Sequence, residues 1–207
     1  MKELRMFDFE VRAEQDELHG NFLSGRPIVY GQRTNIGSYD EIIEPGALDI
    51  TDLKDVRFLV NHNVSMIPLA RSRNNNENST MQLSVDADGM VIRVDLDTEN
   101  NAEARSLYSA VGRGDISGMS FMFNVDKDSW DDIESDHPTR HVRSIKRVLE
   151  VSAVTFPAYS ATSIQTRGLS DALDSAKESL DSERAKLAEL KLAKEKLKLK
   201  ARIEHGN

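Results

Sequence analysis

The sequence predicts a β-rich α+β fold: a closed or partly closed antiparallel β-barrel with a few flanking helices, followed by a long C-terminal helix. Three observations support this class. Short strand-like runs recur between glycine and proline residues, and they do not alternate with helices in the rhythm of a parallel α/β sheet. The composition also changes sharply near Gly168. We therefore expect one domain over residues 1–167 and a helical, coiled-coil-like tail over residues 168–207.

The strands are indicated by alternation of apolar and polar residues. Residues 91–96 read Val-Ile-Arg-Val-Asp-Leu, a pattern typical of a half-buried antiparallel strand. Asp88-Gly89 separates this run from an earlier apolar run, which predicts a β-hairpin. The predicted strands are Arg26–Tyr30, Val56–Val60, Met81–Val85, Met90–Leu96, Phe121–Val125 and Val148–Phe156.

The domain is expected to contain one helix and two exposed loops. The helix is predicted over Asn101–Val111 and is expected to end at Gly112. The loops are predicted over Asn74–Asn78 and Asp126–His141, and the second carries the only tryptophan, Trp130. The apolar residues expected on the buried side of the helix are Ala102, Leu107 and Val111.

The tail has the composition of a long helix. From Leu169 onward it contains no glycine or proline until Gly206, and it has no aromatic residue. Apolar residues follow alternating steps of four and three, interrupted at Glu183 and Lys194. Two interpretations stay open: a solvated helix that packs weakly on the domain, or a helix that binds a partner, which the narrow seam favours. The seam residues are Leu169, Leu173, Ala176, Leu180, Leu187, Leu190, Leu197 and Ala201.

Composition and charge exclude several classes of function. The 207 residues include 27 Lys+Arg and 35 Asp+Glu, a formal net charge of −8, which argues against a specific nucleic-acid partner. The absence of cysteine excludes disulfides, cysteine-ligated zinc, iron–sulfur clusters and thiol catalysis. No apolar run approaches the roughly 20 residues that span a bilayer, so we expect a soluble, intracellular-type protein without a membrane partner.

Without cysteine, the candidate nucleophiles are hydroxyls, carboxylates and lysines. Ser120 follows a glycine-rich turn at the start of an apolar strand, and Ser117 in the same turn competes with it. A serine in such a place is most often only a turn residue. His62 follows the apolar run Val56–Val60, where a general base could lie on the rim of a rigid scaffold, although a surface loop histidine is the simpler interpretation.

Glu150 is an acid within an almost wholly apolar segment, Val148–Tyr159. A buried carboxylate destabilises the fold unless it is paired, and orienting a histidine is one way to pair it. A salt bridge to Arg143 or Arg147 is the alternative. His137 and His141 have no third ligand nearby, so the sequence predicts no metal site.

Four segments together resemble, in the same order, blocks of the tailed-bacteriophage prohead (capsid maturation) serine proteases, which are distant relatives of the herpesvirus assemblins. The family blocks read Y-x-E-x-I-x-P-G-A/F, N-H-D/N followed by L-G-R, G-x-S-x-G-F, and L-x-E-V-S-x-V-x-x-P-A-Y. Two residues depart from them, because Ala70 and Met122 stand where the family usually has glycine. The matching segments are Gly31 with Tyr39–Ala47, Asn61–Asn63 with Pro68–Arg71, Ser117–Phe123, and Leu149–Tyr159.

The resemblance implies an assemblin-like barrel in which Ser120 is the nucleophile, His62 the general base and Glu150 the third member. Assemblins use a second histidine in the third role, which makes His141 the fallback, and Ser117 is the less favoured serine. The implied protein is a serine endopeptidase without a cofactor.

The resemblance also implies substrates and a location. The protein would cleave the major capsid protein or scaffold protein, and itself, inside the assembling procapsid in the host cytoplasm. Self-association as a dimer or higher oligomer stays open, as do the cleavage-site preference and the fate of the tail. The alternative is a catalytically inactive β-barrel scaffold or capsid-assembly component, recruited through the helical tail.

Overall fold

The computed structural model describes residues 3–7, 11–17, 20–155 and 167–204, which form eleven strands and two helices. The prediction of a β-rich α+β protein is confirmed at this level. In chain order the elements are β1 Glu3–Phe7, β2 Val11–Asp16, β3 Gly20–Val29, β4 Arg33–Asn35, β5 Asp40–Ile43, β6 Asp55–Val60, β7 Ala70–Arg73, β8 Met81–Asp86, β9 Gly89–Asp95, α1 Ala102–Gly112, β10 Gly118–Asp131, β11 Thr139–Val154 and α2 Arg167–Glu204.

The larger sheet is organised around β11, which is paired along both of its edges. On one edge it pairs antiparallel with β10 from Gly118 to Asp131. On the other edge its first half pairs parallel with β5 and its second half pairs parallel with β6. Strands β1, β4 and β7 extend the sheet by pairing with β10, β5 and β6, which gives seven strands.

The smaller sheet has the order β2-β3-β9-β8 and is antiparallel throughout. The pairing of β3 with β9 shifts register between Gly25 and Ile28, where Pro27 has no N–H to donate to the ladder. The predicted hairpin joins β8 to β9. Gly89 is required there, because its φ is +137° and a Cβ atom would lie 2.0 Å from the carbonyl oxygen of Ile28.

One hydrophobic core contains residues of both sheets. Alternation along β10 sends three apolar side chains into this core, and Phe121 stacks on Phe123 with ring centroids 4.9 Å apart. Ser120 and Met122 therefore lie on the opposite face of the strand. The β10 residues in the core are Met119, Phe121 and Phe123.

The prediction of a closed or partly closed antiparallel barrel is wrong for the described part of the chain. The residues form two open sheets, and the larger one contains the parallel pairs β5–β11 and β6–β11. Alternation of apolar residues identifies which segments are strands, but the order of strands is decided by contacts between distant segments. Alternation in the sequence therefore identified the strands but not their order and direction in the sheets.

The domain helix lies where it was predicted, with a corrected buried face. Asn101 is its N-cap, because the side chain accepts hydrogen bonds from the N–H groups of Glu103 and Ala104. Arg113, rather than Gly112, is the C-cap. Ala102 is exposed, and the side chains that reach the core follow steps of three and four: Ala104, Leu107 and Val111.

The long loop predicted over Asp126–His141 is mostly strand. β10 continues to Asp131 and β11 begins at Thr139, so the connection is only residues 132–138. Its polar composition suggested a loop, but these residues form a two-stranded extension in which Thr139 and Arg140 are buried and Arg140 Nε donates to Asp128 Oδ2 at 2.7 Å. Trp130 lies on this extension, with its ring edge-on to Tyr39 at a centroid distance of 5.2 Å. The predicted end of the last strand, Phe156, lies outside the described residues.

Helix α2 has a docked half and an exposed half. In the first half Ala176 is fully buried and Leu180 is 9% exposed. Trp130 Nε1 donates to Ser179 Oγ at 3.1 Å, and Arg184 Nε donates to the carbonyl oxygen of Ile133 at 2.6 Å. From residue 188 to residue 201 every side chain is exposed. The first half of α2 therefore fits the interpretation of a helix that packs on the domain. The second half fits the interpretation of a helix with a face available to a partner.

Neither helix of the described ranges combines the length and the apolar character needed to cross a membrane.

Leu180→Ala should lower the free energy of unfolding by about 2 kcal/mol, because the substitution removes buried apolar volume where α2 contacts the domain. Leu197→Ala is the matched control on the same seam, since Leu197 is 68% exposed, and it should change stability by less than about 0.5 kcal/mol. Urea titration followed by the fluorescence of Trp130 measures both variants. Equal effects of the two substitutions would contradict the docking of the first half.

Candidate active site

The candidate site lies on the face of the larger sheet opposite the core. The Cα partner of Ser120 on β11 is Ser152, and the partner of Ser152 on β6 is Leu59. Glu150 lies two residues before Ser152 on the same face, in register with Met122. Directly opposed residues on paired strands point to the same side of a sheet, so Ser120 and Glu150 share this face.

A β-bulge decides which way Glu150 points. One step along β10, from Met122 to Phe123, corresponds to two steps along β11, from Glu150 to Val148. Leu149 is therefore the extra residue of the bulge. Val148 belongs to the core, so strict alternation would send Glu150 into the core as well. The bulge turns Glu150 to the face that carries Ser120.

His62 reaches this face from a left-handed turn that follows β6. Asn61 and His62 have φ values of +50° and +55°, an uncommon conformation for residues other than glycine. Hydrogen bonds to the end of β11 and to Thr155 hold the turn in place. Asn61 N donates to Ala153 O at 2.9 Å, His62 N donates to Ser152 Oγ at 3.1 Å, and Thr155 N donates to Asn61 Oδ1 at 2.9 Å.

His62 and Glu150 form a buried pair. The side chains are 6% and 3% exposed, and His62 Nδ1 is hydrogen-bonded to Glu150 Oε1. Glu150 Oε2 accepts a second hydrogen bond from Ser152 Oγ at 2.6 Å. Both carboxylate oxygens thus have a partner, as a buried charge requires. The alternative of a salt bridge to an arginine on β11 is not observed: Arg143 pairs with Glu44 and Arg147 with Asp52.

The pairing fixes what each nitrogen of His62 can do. With Glu150 ionised and the ring of His62 neutral, Nδ1 carries the proton and Nε2 keeps a lone pair, because an ionised carboxylate can only accept hydrogen bonds. Nε2 is buried and has no hydrogen-bond partner among the described residues. A histidine held by a carboxylate on one nitrogen, with a basic second nitrogen, has the arrangement of a general base.

The two candidate serines lie in different environments. Ser120 is fully buried within the larger sheet, between β1 and β11, with Met6 and Ser152 as its Cα partners. Ser117 is exposed and precedes β10. The structure therefore places Ser120, and not Ser117, in the strand next to Glu150 and Ser152.

The structure does not bring His141 to this site. His141 Nδ1 is hydrogen-bonded to Glu44 Oε1 at 2.6 Å, and its Cα partner on β10 is Ser129. Glu150 lies nine positions further along the same strand, a distance of roughly 30 Å. His137 likewise bonds to Asp40, and the described residues contain no group of three or more acids and histidines able to hold a metal ion.

An arginine pair lies beside the site on the same face. Arg57 is the Cα partner of Glu150 on β6, and Arg71 is the partner of Arg57 on β7. Asp55 accepts hydrogen bonds from both, including Arg71 Nε at 2.6 Å and Nη2 at 2.9 Å. The bond from Arg71 lowers the pKa of Asp55 below its ordinary value, against the opposing effect of partial burial. Asp55 thus balances the positive charge of Arg71, the arginine of the matching segment Pro68–Arg71.

Sequence reasoning missed Ser152 and the contacts of Asn61. Ser152 had a usable signal, because a residue two positions from a candidate acid in a strand shares its face. No sequence signal indicated the contacts of Asn61, because its hydrogen bonds to Thr155 join residues that are 94 positions apart.

Comparisons of the sequence with known families and proteins agree with the resemblance of the motifs. The sequence matches the caudovirus prohead serine protease family over residues 7–175. It is 27% identical over 161 residues to the prohead protease of Enterobacteria phage HK97, covering 76% of this chain and 64% of that protein. This chain therefore spans just under two thirds of the length of that relative. The structure of the bacteriophage T4 capsid assembly protease aligns with a TM-score of 0.37 and 12% identity, over 75% of this chain and 99% of that one.

The Asp55–Arg71 pair should contribute less to stability in acid. Because the pKa of Asp55 is lowered in the folded protein, its contribution is present above the ordinary carboxyl pKa and is lost as the pH falls through the folded-state value. A double-mutant cycle of Asp55→Asn and Arg71→Gln, measured by urea unfolding at low salt, should give a small favourable coupling near neutral pH. The coupling should decline below roughly pH 4. A coupling that stays unchanged in acid would contradict the ion pair.

Proposed function

Because this chain belongs to the caudovirus prohead serine protease family, we propose that it is a serine endopeptidase of capsid maturation. Its substrates are the major capsid protein or the scaffold protein, and the chain itself, inside the procapsid as it assembles in the host cytoplasm. The single observation that carries the proposal is the buried His62–Glu150 pair beside the strand of Ser120. No cofactor takes part.

The proposed reaction begins with Ser120. Its hydroxyl oxygen attacks the carbonyl carbon of the scissile peptide bond while His62 Nε2 takes the hydroxyl proton. The tetrahedral intermediate collapses, the C–N bond breaks, and His62 gives the proton to the leaving amine. Water then attacks the acyl-enzyme with His62 again as the base, which releases the new carboxylate and restores the Ser120 hydroxyl.

Glu150 supports both proton transfers in this mechanism. The bond from Nδ1 to Glu150 holds the imidazole ring with Nε2 available, and the negative carboxylate stabilises the imidazolium that forms when Nε2 takes a proton. The low exposure of both side chains strengthens this electrostatic interaction, because little water screens it. The mechanism requires that Nε2 lie within hydrogen-bond reach of the Ser120 oxygen when substrate is bound.

Self-cleavage is expected in one of two places. The first is Gln165–Leu169, where residues 165 and 166 lie outside the described ranges and α2 begins at Arg167. The second is the exposed stretch Lys191–Lys200 in the second half of α2. A protease needs an extended substrate, so the middle of the helix should be spared.

The alternative function is an inactive capsid-assembly component recruited through the tail. The exposed second half of α2 favours it, because Leu190 and Leu197 present apolar surface without a partner among the described residues. A fluorophosphonate probe separates the two functions directly. It reacts covalently with an activated serine and leaves an inactive scaffold unmodified.

Ser120→Ala should abolish both fluorophosphonate labelling and cleavage of the phage's own major capsid protein, measured by intact mass. His62→Ala should slow both by roughly 10³-fold or more, and Glu150→Gln by about 10²- to 10⁴-fold, because an orienting acid acts through the base.

Ser117→Ala is the matched control, since it removes an exposed serine three residues from Ser120, and it should leave both reactions unchanged. Thermal unfolding establishes that each variant is folded. Retained cleavage in Ser120→Ala would refute the assignment, and identical self-cleavage fragments from that variant would show that a host protease produces them.

A further inference from the structure

We infer that Ser152 is a positioning residue of this site: its hydroxyl joins the backbone of His62 to the carboxylate of Glu150 and fixes how the two groups meet. The inference rests on the proposed function and extends it, because none of the matching segments assigns Ser152 a role. It also explains why a hydroxyl lies fully buried in the middle of the larger sheet.

The hydrogen bonds of Ser152 fix the direction of its O–H group. A serine hydroxyl has one hydrogen to donate and lone pairs with which to accept. Ser152 Oγ donates to Glu150 Oε2 at 2.6 Å, because an ionised carboxylate can only accept. The same oxygen accepts from the backbone N–H of His62 at 3.1 Å, since that group can only donate. The hydroxyl therefore has one orientation.

This orientation has two consequences for the base. With Oε2 held by Ser152, the carboxylate cannot rotate freely, and Oε1 is the oxygen that meets His62 Nδ1. The second consequence concerns the backbone of His62, which has a φ of +55°. A left-handed residue other than glycine is strained and needs its surroundings to hold it. The bond to Ser152 is part of that support.

The location of Ser152 makes the loss of its hydroxyl hard to repair. Its Cα neighbours are Ser120 on β10 and Leu59 on β6, so it lies between the strand of the nucleophile and the strand that leads to His62. It is fully buried, as is Ser120. Removing the hydroxyl leaves Glu150 Oε2 and the His62 N–H without their partner in a place shielded from solvent.

Another serine in the chain distinguishes positioning from simple packing. Ser72 on β7 is also fully buried, but its Oγ has no hydrogen-bond partner among the described residues. Ser72→Ala removes the same atom from the same degree of burial without breaking such a bond. It is therefore the matched control for Ser152→Ala.

The test uses the full chain and two measurements. The rate of labelling of Ser120 by a fluorophosphonate probe reports the reactivity of the nucleophile. The low-field proton NMR signal of His62 Nδ1–H, assigned by its loss in Glu150→Gln and in His62→Ala, reports the His62–Glu150 bond. Ser152→Ala should slow labelling by roughly tenfold or more, but by less than Glu150→Gln does, and should shift or broaden the NMR signal. Ser72→Ala should change neither.

The outcomes separate this inference from the proposed function. If the wild type is labelled and Ser152→Ala slows labelling without changing the His62 signal, Ser152 is only structural and the inference is overturned. Equal labelling of Ser152→Ala and the wild type also overturns it. A wild type that is never labelled refutes the protease function, while the NMR signal still tests the positioning of His62.

Folding of the variants is followed by thermal unfolding. If Ser152→Ala does not fold, Ser152→Cys tests the same bond, because a thiol of similar size is a weak donor. Ser152→Cys should also slow labelling and change the His62 signal. Wild-type values for both measurements in a folded Ser152→Cys variant would overturn the inference.

Discussion

The pairing of β11 along both of its edges is the constraint on which the rest of the structure depends. A strand with neighbours on both sides can place each side chain only on one face of the sheet or the other. Phe58, Phe121 and Val151 fill one face and form the core, whereas Ser120 and Glu150 share the opposite face. The same hydrogen-bond ladders that stabilise the sheet bring segments from three distant parts of the sequence into register. Fold and site are thus consequences of one set of strand pairings.

Burial of the Glu150 carboxylate adds a second constraint. Placing an ionised carboxylate in a protein interior without partners destabilises the fold by several kcal/mol. The structure offsets this with the imidazole of His62 and the hydroxyl of Ser152, one on each oxygen. The bonds that make a buried charge tolerable are therefore the bonds that orient a base. A substitution that removes one of these hydrogen bonds is therefore expected to lower both the stability of the fold and the proposed activity.

Local features of this chain were predictable from the sequence, and long-range ones were not. Helix α1 and the hairpin at Gly89 depend on neighbouring residues, and both lie where the sequence placed them. The arrangement of the larger sheet depends on the parallel pairing of β11 with β5 and β6, which alternation does not encode. The site residues came from resemblance to a family rather than from periodicity, and their roles stay a prediction. The bulge at Leu149 explains why periodicity alone could not have placed Glu150: regular alternation from Val148 assigns it to the core.

Helix α2 gives the domain a stiff projecting arm. At 1.5 Å per residue, its 38 residues extend about 57 Å, and the wholly exposed stretch from residue 188 to residue 201 accounts for about 20 Å of this length. A flexible linker would let an attached body sample a range of separations, whereas a helix holds it near one separation and one direction. Anything that attaches to the far turns of α2 is consequently held at a fixed radius from the domain. The length and direction of α2 would then limit which surfaces of an attached body can approach the sheet face that carries Ser120.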